Sequence, residues 1–279
     1  MIQLNVYTNF VQFKNDVLPF LEMYEQENNL ILGVLRSSQL PLFMAAATKE
    51  EELVYVMLQT HHRQVIVAKS APLGKDDIQE LAQQLAIAYP DLPGLIGEKR
   101  VVERLAEQLA NLQNKSIQIK MKQGVYGLKQ IKKKARNNGI FRRIELKEQD
   151  LIEDWVYRFC EEVNLATTKE EAVHTAAELI ERQRLFGWEV EGQLVSMAAV
   201  TRPTKRNITI NFVYTPKVER KKGYALNCVS ALSQYMLDNG YLTTSLYTDL
   251  DNPTSNKIYQ EIGYELIMES VLLYLESKQ

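Results

Sequence analysis

Two short stretches of the 279-residue sequence hold the residues best suited to chemistry. In the first, Glu219-Arg220-Lys221-Lys222-Gly223-Tyr224-Ala225, three cations and a glycine fall between an apolar β-prone run and a helical pattern at residues 223–239. A helix beginning there leaves its first N–H groups unpaired and carries partial positive charge at that end, which is how a chain holds a phosphate or pyrophosphate. Glycine removes a Cβ from the approach, and Arg220, Lys221 and Lys222 add charge that counts most for a ligand with more than one phosphate. Taken alone, the stretch reads as an ordinary exposed turn.

The second stretch, TDLDNPTSNKIYQEIGY at residues 248–264, takes the first out of isolation. It supplies a strand end, an Asx-Pro turn at Asn252, a capping candidate in Thr254 or Ser255, a short helix bearing Tyr259, and Gly263 as a left-handed stop. Pro216 cannot donate to a β-ladder, so pairing must end or bulge there and a gap opens in the sheet. If ITINFVY (208–214) and LTTSLYT (242–248) are parallel neighbours joined by the helix at 223–239, both carboxyl ends face one crevice.

The surrounding pattern supplies such elements. The second half reads as a strand at 141–146, helices through Trp155, Val156, Phe159, Cys160 and Val163 and over 169–184, a hairpin turning at Glu191-Gly192, and a second turn near 205–207. The strand at 208–214 follows, then the helix at 223–239, a strand at 242–249, a helix at 255–262 and a strand at 270–275. The first half has nearly the same rhythm: a strand at 2–7, helices at 13–24 and 29–39, strands at 42–48, 53–60 and 64–69, helices at 76–88 and 98–112, and a strand at 116–121. An internal structural duplication without visible sequence identity accounts for this. Between the halves, residues 115–143 are crowded with Lys and Arg and read as a solvated connector, since no aromatic interleaving supports a nucleic-acid patch.

Composition sets the frame. With 46% apolar residues the chain can bury a sizeable core in one large domain or two ordinary ones, and 33 Lys plus Arg against 35 Asp plus Glu give no general attraction to nucleic acid or anionic lipid. No run of about 18 apolar residues offers a membrane span, and the start MIQLNVYTNF lacks the blocks of a signal peptide, so the expected location is cytoplasmic. Cys160 and Cys228 lie far apart inside helical patterns, which is neither a metal spacing nor a disulfide framework.

The motif V-Y-T-P-x-x-x-R-x-x-G-Y-A at 213–225, followed by L-D-N-P-x-S-N-x-x-Y-x-x-x-G-Y at 250–264, resembles the two acyl-CoA-binding motifs of the GNAT superfamily of N-acetyltransferases. The whole chain resembles a bacterial branch of tandem GNAT proteins. That resemblance implies an α/β (mixed α+β) fold in two tandem GNAT-like domains: a degenerate N-terminal copy at 1–128, a basic linker at 129–140, and an acetyltransferase domain at 141–279. It implies acetyl-CoA as co-substrate, with its pyrophosphate on Arg220, Lys221, Lys222, Gly223, Tyr224 and Ala225. The pantetheine arm would lie along Phe212, Val213 and Tyr214, with Asn252 and Ser255 of the second motif contributing. Residues 70–77 of the first half, SAPLGKDD, lack the loop motif, and aspartates at a helix start would repel a pyrophosphate, so no CoA is expected there.

For the reaction, the resemblance makes Tyr259 the donor of a proton to the departing thiolate, against the plainer reading of an aromatic packed between helix and sheet. A backbone N–H near Val213 or Tyr214 is the natural oxyanion donor. The base stays open, because NITINFVYT offers Asn207, Thr209 and Asn211 but no carboxylate. Glu189 and Asp249 acting through water, His174, or an amine that arrives neutral all remain candidates. The acceptor is an amine-bearing small molecule, an amino acid or a protein N-terminus, with neither nucleic acid nor membrane expected as a partner. The rival reading is a non-catalytic acyl-CoA sensor or assembly module, and a weaker third is an aminoacyl-tRNA-dependent transferase.

Overall fold

Alternation and three-to-four spacing become elements in one repeated order. In the computed structural model, which describes residues 1–37 and 40–278, the first half runs β1 (Ile2–Val6), α1 (Phe10–Glu22), α2 (Asn29–Leu35), β2 (Phe43–Lys49), β3 (Glu52–His61), β4 (Gln64–Val67), α3 (Lys75–Ala88), β5 (Gly94–Glu98), α4 (Lys99–Gln113) and β6 (Lys115–Leu128). The second half repeats it as β7 (Ile140–Arg143), α5 (Gln149–Glu162), α6 (Lys169–Glu181), β8 (Leu185–Val190), β9 (Gln193–Thr201), β10 (Asn207–Tyr214), α7 (Tyr224–Asp238), β11 (Thr243–Asp249), α8 (Pro253–Ile262) and β12 (Glu265–Ser277). The expected extension of α2 through 38 and 39 lies outside the described residues.

The chain forms two compact units: unit 1 comprises residues 1–125, 247–252 and 266–279, and unit 2 comprises 126–246 and 253–265. In unit 1 the strand order is β1-β2-β3-β4-β5-β12-β6. Its pairs are antiparallel from β1 to β4, parallel between β4 and β5, and antiparallel between β5 and β12. Phe13, Val17, Leu21, Ile31 and Leu35 of α1 and α2 are buried on one face, and Ile78, Leu81, Leu85, Val102 and Leu105 of α3 and α4 on the other. The last strand of the chain therefore completes unit 1, with Ser270 to Tyr274 in register with Glu98 to Gly94 and Val271, Leu273 and Leu275 in its core.

Unit 2 has the order β11-β10-β9-β8-β7, with only β10 and β11 parallel. Its sheet is covered by Ile152, Trp155, Val156, Ala176 and Ile180 of α5 and α6 on one face, and by Leu226, Val229, Leu232, Met236 and Ile262 of α7 and α8 on the other. The β8–β9 hairpin turns at Glu191 and Gly192, both at positive φ (50° and 79°), the backbone of a type I′ turn.

Three features differ from the sequence reading. β5 was not expected, because GLIGE carries two glycines that weaken any strand signal; a Cβ at Gly97 would lie 2.5 Å from the Val67 carbonyl oxygen, so the position needs glycine. The basic connector, exposed or half-buried throughout 129–140, groups with unit 2 and is anchored to it. Its Ile131 and Ala135 pack on the α7–α8 core, the Lys132 N–H donates to the Ile262 carbonyl (2.7 Å), and the buried Ser230 hydroxyl of α7 donates to the Lys133 carbonyl (2.8 Å). Helix α8 starts at Pro253, the favoured first helical position for proline, so Thr254 and Ser255 lie inside its first turn rather than capping it.

Candidate active site

The β10–β11 ladder runs from Asn207 opposite Thr243 to Ile210 opposite Leu246 and ends there. On its other side β10 slips register, with Asn211 opposite Ala199 but Tyr214 opposite Met197, so Phe212 and Val213 share one partner position. Phe212 has φ 48°, a strained value for a bulky side chain, and its N–H donates to Asn211 Oδ1 at 2.8 Å. A bulge at Phe212, rather than Pro216, is thus what opens the strand. Its cause is local: Asn211 satisfies its neighbour's amide and releases it from the ladder. The Phe212 ring packs on Phe159 of α5, and Tyr214 on Trp155.

Beyond β10 the chain makes a 3-10 turn at Lys217–Glu219, then Lys221 and Gly223 take positive φ (64° and 85°) before α7 begins. The first helical bond is from Asn227 N–H to the Gly223 carbonyl, 3.1 Å. Among the described residues, the amides of 221–226 find no backbone or side-chain acceptor. Successive free donors with left-handed residues between them form an anion nest, here at the positive end of a 15-residue helix. A Cβ on Gly223 would meet nothing within 4 Å, so glycine serves the positive φ, and the space over the nest is open.

The side chains of this loop are arranged differently from the sequence expectation. Arg220 folds back: its Nη2 donates to both carboxylate oxygens of Glu162 at 2.7 Å, its Nε donates to the Thr215 carbonyl at 2.8 Å, and it lies over the Tyr214 ring. Lys222 pairs with Glu219 at 2.9 Å, and Lys221 forms no ion pair among the described residues. Both pairs are well exposed, so each is weak and exchangeable. Nothing in sequence spacing marks Glu162 as the partner of Arg220. Tyr224 and Ala225 are half-buried in the first turn of α7.

Tyr259 is buried in the α7–α8 core, its ring edge-on to Tyr264 at 6.1 Å. Tyr264 is anchored by hydroxyl contacts with Ser233 (2.8 Å) and Thr244 (2.7 Å), whereas the Tyr259 hydroxyl has no partner among the described residues. Burial pushes the Tyr259 phenol well above its ordinary value. Gly263 takes φ 121° and ends the helix, as the sequence indicates. Asn252 directly precedes α8, its N–H donating to the Asp249 carbonyl at 3.1 Å, and Ser255 is half-buried within α8.

The candidate carboxylate bases are engaged elsewhere. Glu189 Oε2 accepts from Arg142 Nε at 2.5 Å, and Arg142 also holds both oxygens of Glu148. The Asp249 carboxylate accepts from the Asp251 N–H at 2.9 Å. His174 is exposed on α6, and Asn207, Thr209 and Ser245 are buried and bonded to one another. Cys228 is fully buried, its thiol pushed up to about 12, and burial also raises Cys160. No cluster of three metal-ligating side chains and no helix long and apolar enough to cross a membrane occurs among the described residues. At the equivalent helix start in unit 1 a carboxylate lies against the first amide, the Gly74 N–H donating to Asp77 Oδ2 at 2.9 Å.

Residues 149–264 match the family model "Acetyltransferase (GNAT) family". Curated protein sequences give no match. Solved structures match across the chain: a GNAT-family acetyltransferase from Colwellia psychrerythraea (TM-score 0.64, 13% identity, covering 99% of this chain and 100% of that one) and a GCN5-related N-acetyltransferase from Sphaerobacter thermophilus (TM-score 0.63, 15% identity, 100% and 96%). A tandem GNAT protein from the clavulanic acid biosynthesis pathway, solved without AcCoA, also matches (TM-score 0.55, 11% identity, 100% and 99%). These identities speak to the fold, and the motif-bearing half carries the family match. Residues 149–264 are thus similar to the GNAT acetyltransferase family, and the solved structures extend the GNAT fold across both halves of the chain.

Proposed function

We propose that this protein is a cytoplasmic, acetyl-CoA-dependent N-acetyltransferase that acetylates a primary amine by direct attack in a ternary complex. The observation that carries the reading is the row of unpaired amides at 221–226, which fits a pyrophosphate without rearrangement of the backbone. Acetyl-CoA would supply the activated acetyl thioester. The chain's own part is to hold the pyrophosphate on those amides, with Lys221 free to add charge and Lys222 and Arg220 released by exchange from Glu219 and Glu162. The bulged backbone at Phe212, Val213 and Tyr214 would receive the pantetheine arm, aided by Asn252 and Ser255.

Tyr259 suits a proton donor, since its unbonded hydroxyl stays protonated across the physiological range. No carboxylate on β10 stands ready as a base, and the nearby alternatives are committed to partners. The acceptor amine therefore arrives neutral, and the rate should rise with pH through the amine's own pKa and level off above it. Acceptors of this description are a small amine, an amino acid or a protein N-terminus. The missing strand carboxylate is the one observation that favours the second reading, an acyl-CoA sensor.

Amine-dependent release of free thiol from acetyl-CoA, followed over a panel of amines, separates the two. Release that falls about a hundredfold in Tyr259→Phe, the scale of a lost general acid, supports catalysis. Release equal in the variant removes Tyr259 from the chemistry, and binding without release for every amine makes the protein a sensor.

A further inference from the structure

Unit 1 holds a cavity of about 450 Å³. It lies at the carboxyl ends of the parallel strands β4 and β5, the position at which open α/β sheets bind ligands. Gly97 of β5 lies directly against Val67 of β4, so a ligand would sit above the strand ends rather than between them. The walls are charged, and their charges are mostly spent. Lys69 pairs with Glu98 at 2.7 Å, and Lys99 with Glu269 of β12 at 2.8 Å.

Two lining groups are left over. Arg100 and Glu103, at i and i+3 on the first turns of α4, form no hydrogen bond or ion pair among the described residues, though the Glu103 carboxylate lies near enough to Lys99 to raise the ammonium's pKa, after the larger effect of Glu269. At that spacing the two side chains rise from neighbouring points on one helix face, about 5–6 Å apart at Cβ. Arg100 is a carboxylate fork beside the positive end of α4, and Glu103 is an ammonium acceptor. Ile267 and Met268 of β12 give the same cavity an apolar wall.

We infer that unit 1 binds a small zwitterion of α-amino-acid type here, its carboxylate on Arg100, its ammonium on Glu103 and an apolar side chain on Ile267 and Met268. The local charge argues against a polyanion such as CoA: Lys69, Lys99 and Arg100 are matched by Glu98, Glu103 and Glu269, whereas Arg220, Lys221 and Lys222 of the α7 loop face only Glu162 and Glu219, leaving one cation over. The inference stands apart from acyl transfer, since it needs neither acetyl-CoA nor Tyr259.

Calorimetric titration of the full-length protein with the apolar L-amino acids, from alanine to phenylalanine, tests it. The expected result is saturable heat for at least one of them, weakened about tenfold or more by amidating its carboxylate or acetylating its amine, as loss of one charge-assisted hydrogen bond requires. Arg100→Gln and Glu103→Gln, both surface changes on α4 checked for an unaltered melting point, should each weaken binding to a similar degree. Absence of heat from every member of the set, equal binding of the blocked analogues, or binding untouched in both variants overturns the assignment.

Discussion

Arg142 takes the carboxylate of Glu189, one of the candidate bases, into a structural ion pair. It is held between Glu148 and Glu189, each less than a third exposed, and binds Glu148 through two donors. Hydrogen bonding from Arg142 holds the Glu148 carboxyl below the usual carboxylate range. A lowered carboxylate pKa stabilises the fold above its unfolded value, near 4.3, and that contribution is lost as pH falls through the lowered value. Arg142→Met should therefore cost roughly 1–3 kcal/mol at neutral pH by stranding two carboxylates, and the gap to the parent protein should close below about pH 4. Urea unfolding at several pH values checks this, and a gap independent of pH contradicts it. Sequence showed Glu189 as a free carboxylate because its partner lies 47 positions away. The same blindness hid Glu162 behind Arg220. The role proposed for Tyr259, by contrast, rests on a local motif.

Helices and turns were the most legible elements, since their signals are local. Gly263 is a case in which one residue ends a helix and seats another segment. At φ 121° it accommodates no side chain without strain, and a Cβ there would lie 3.0 Å from both the Gln130 carbonyl oxygen and Lys132 Cγ of the connector. Gly263→Ala is expected to destabilise the protein by roughly 1–3 kcal/mol, read as a lower urea midpoint; an unchanged midpoint would mean that the connector does not press on α8. The connector's anchoring was not legible because its Lys and Arg dominate the composition, while the anchoring is done by Ile131, Ala135 and backbone groups. The bulge at Phe212 escaped for a related reason: INFVY alternates well enough to pass for regular strand, and a positive φ leaves no trace in an ordinary residue.

At the scale of the molecule, the duplicated order of elements was visible in the periodicities, but the destination of the last strand was not. Val271, Leu273 and Leu275 of β12 are buried in the core of unit 1, and burial of three such side chains is worth several kcal/mol against a typical total of about 5–15. Deleting residues 266–279 should abolish hydrogen-exchange protection of the β5 amides; retained protection would mean that unit 1 closes without its last strand. In the other unit, the free amides at the start of α7 are proposed to hold an acyl-CoA pyrophosphate. The most direct measurement is a thermal-melting titration with acetyl-CoA on the parent protein and on Gly223→Glu, each against its own ligand-free midpoint. Ligand linkage predicts a concentration-dependent rise in the parent that disappears in the variant, where a carboxylate stands in the open space over the nest. An equal rise in both, or none in either, contradicts the account.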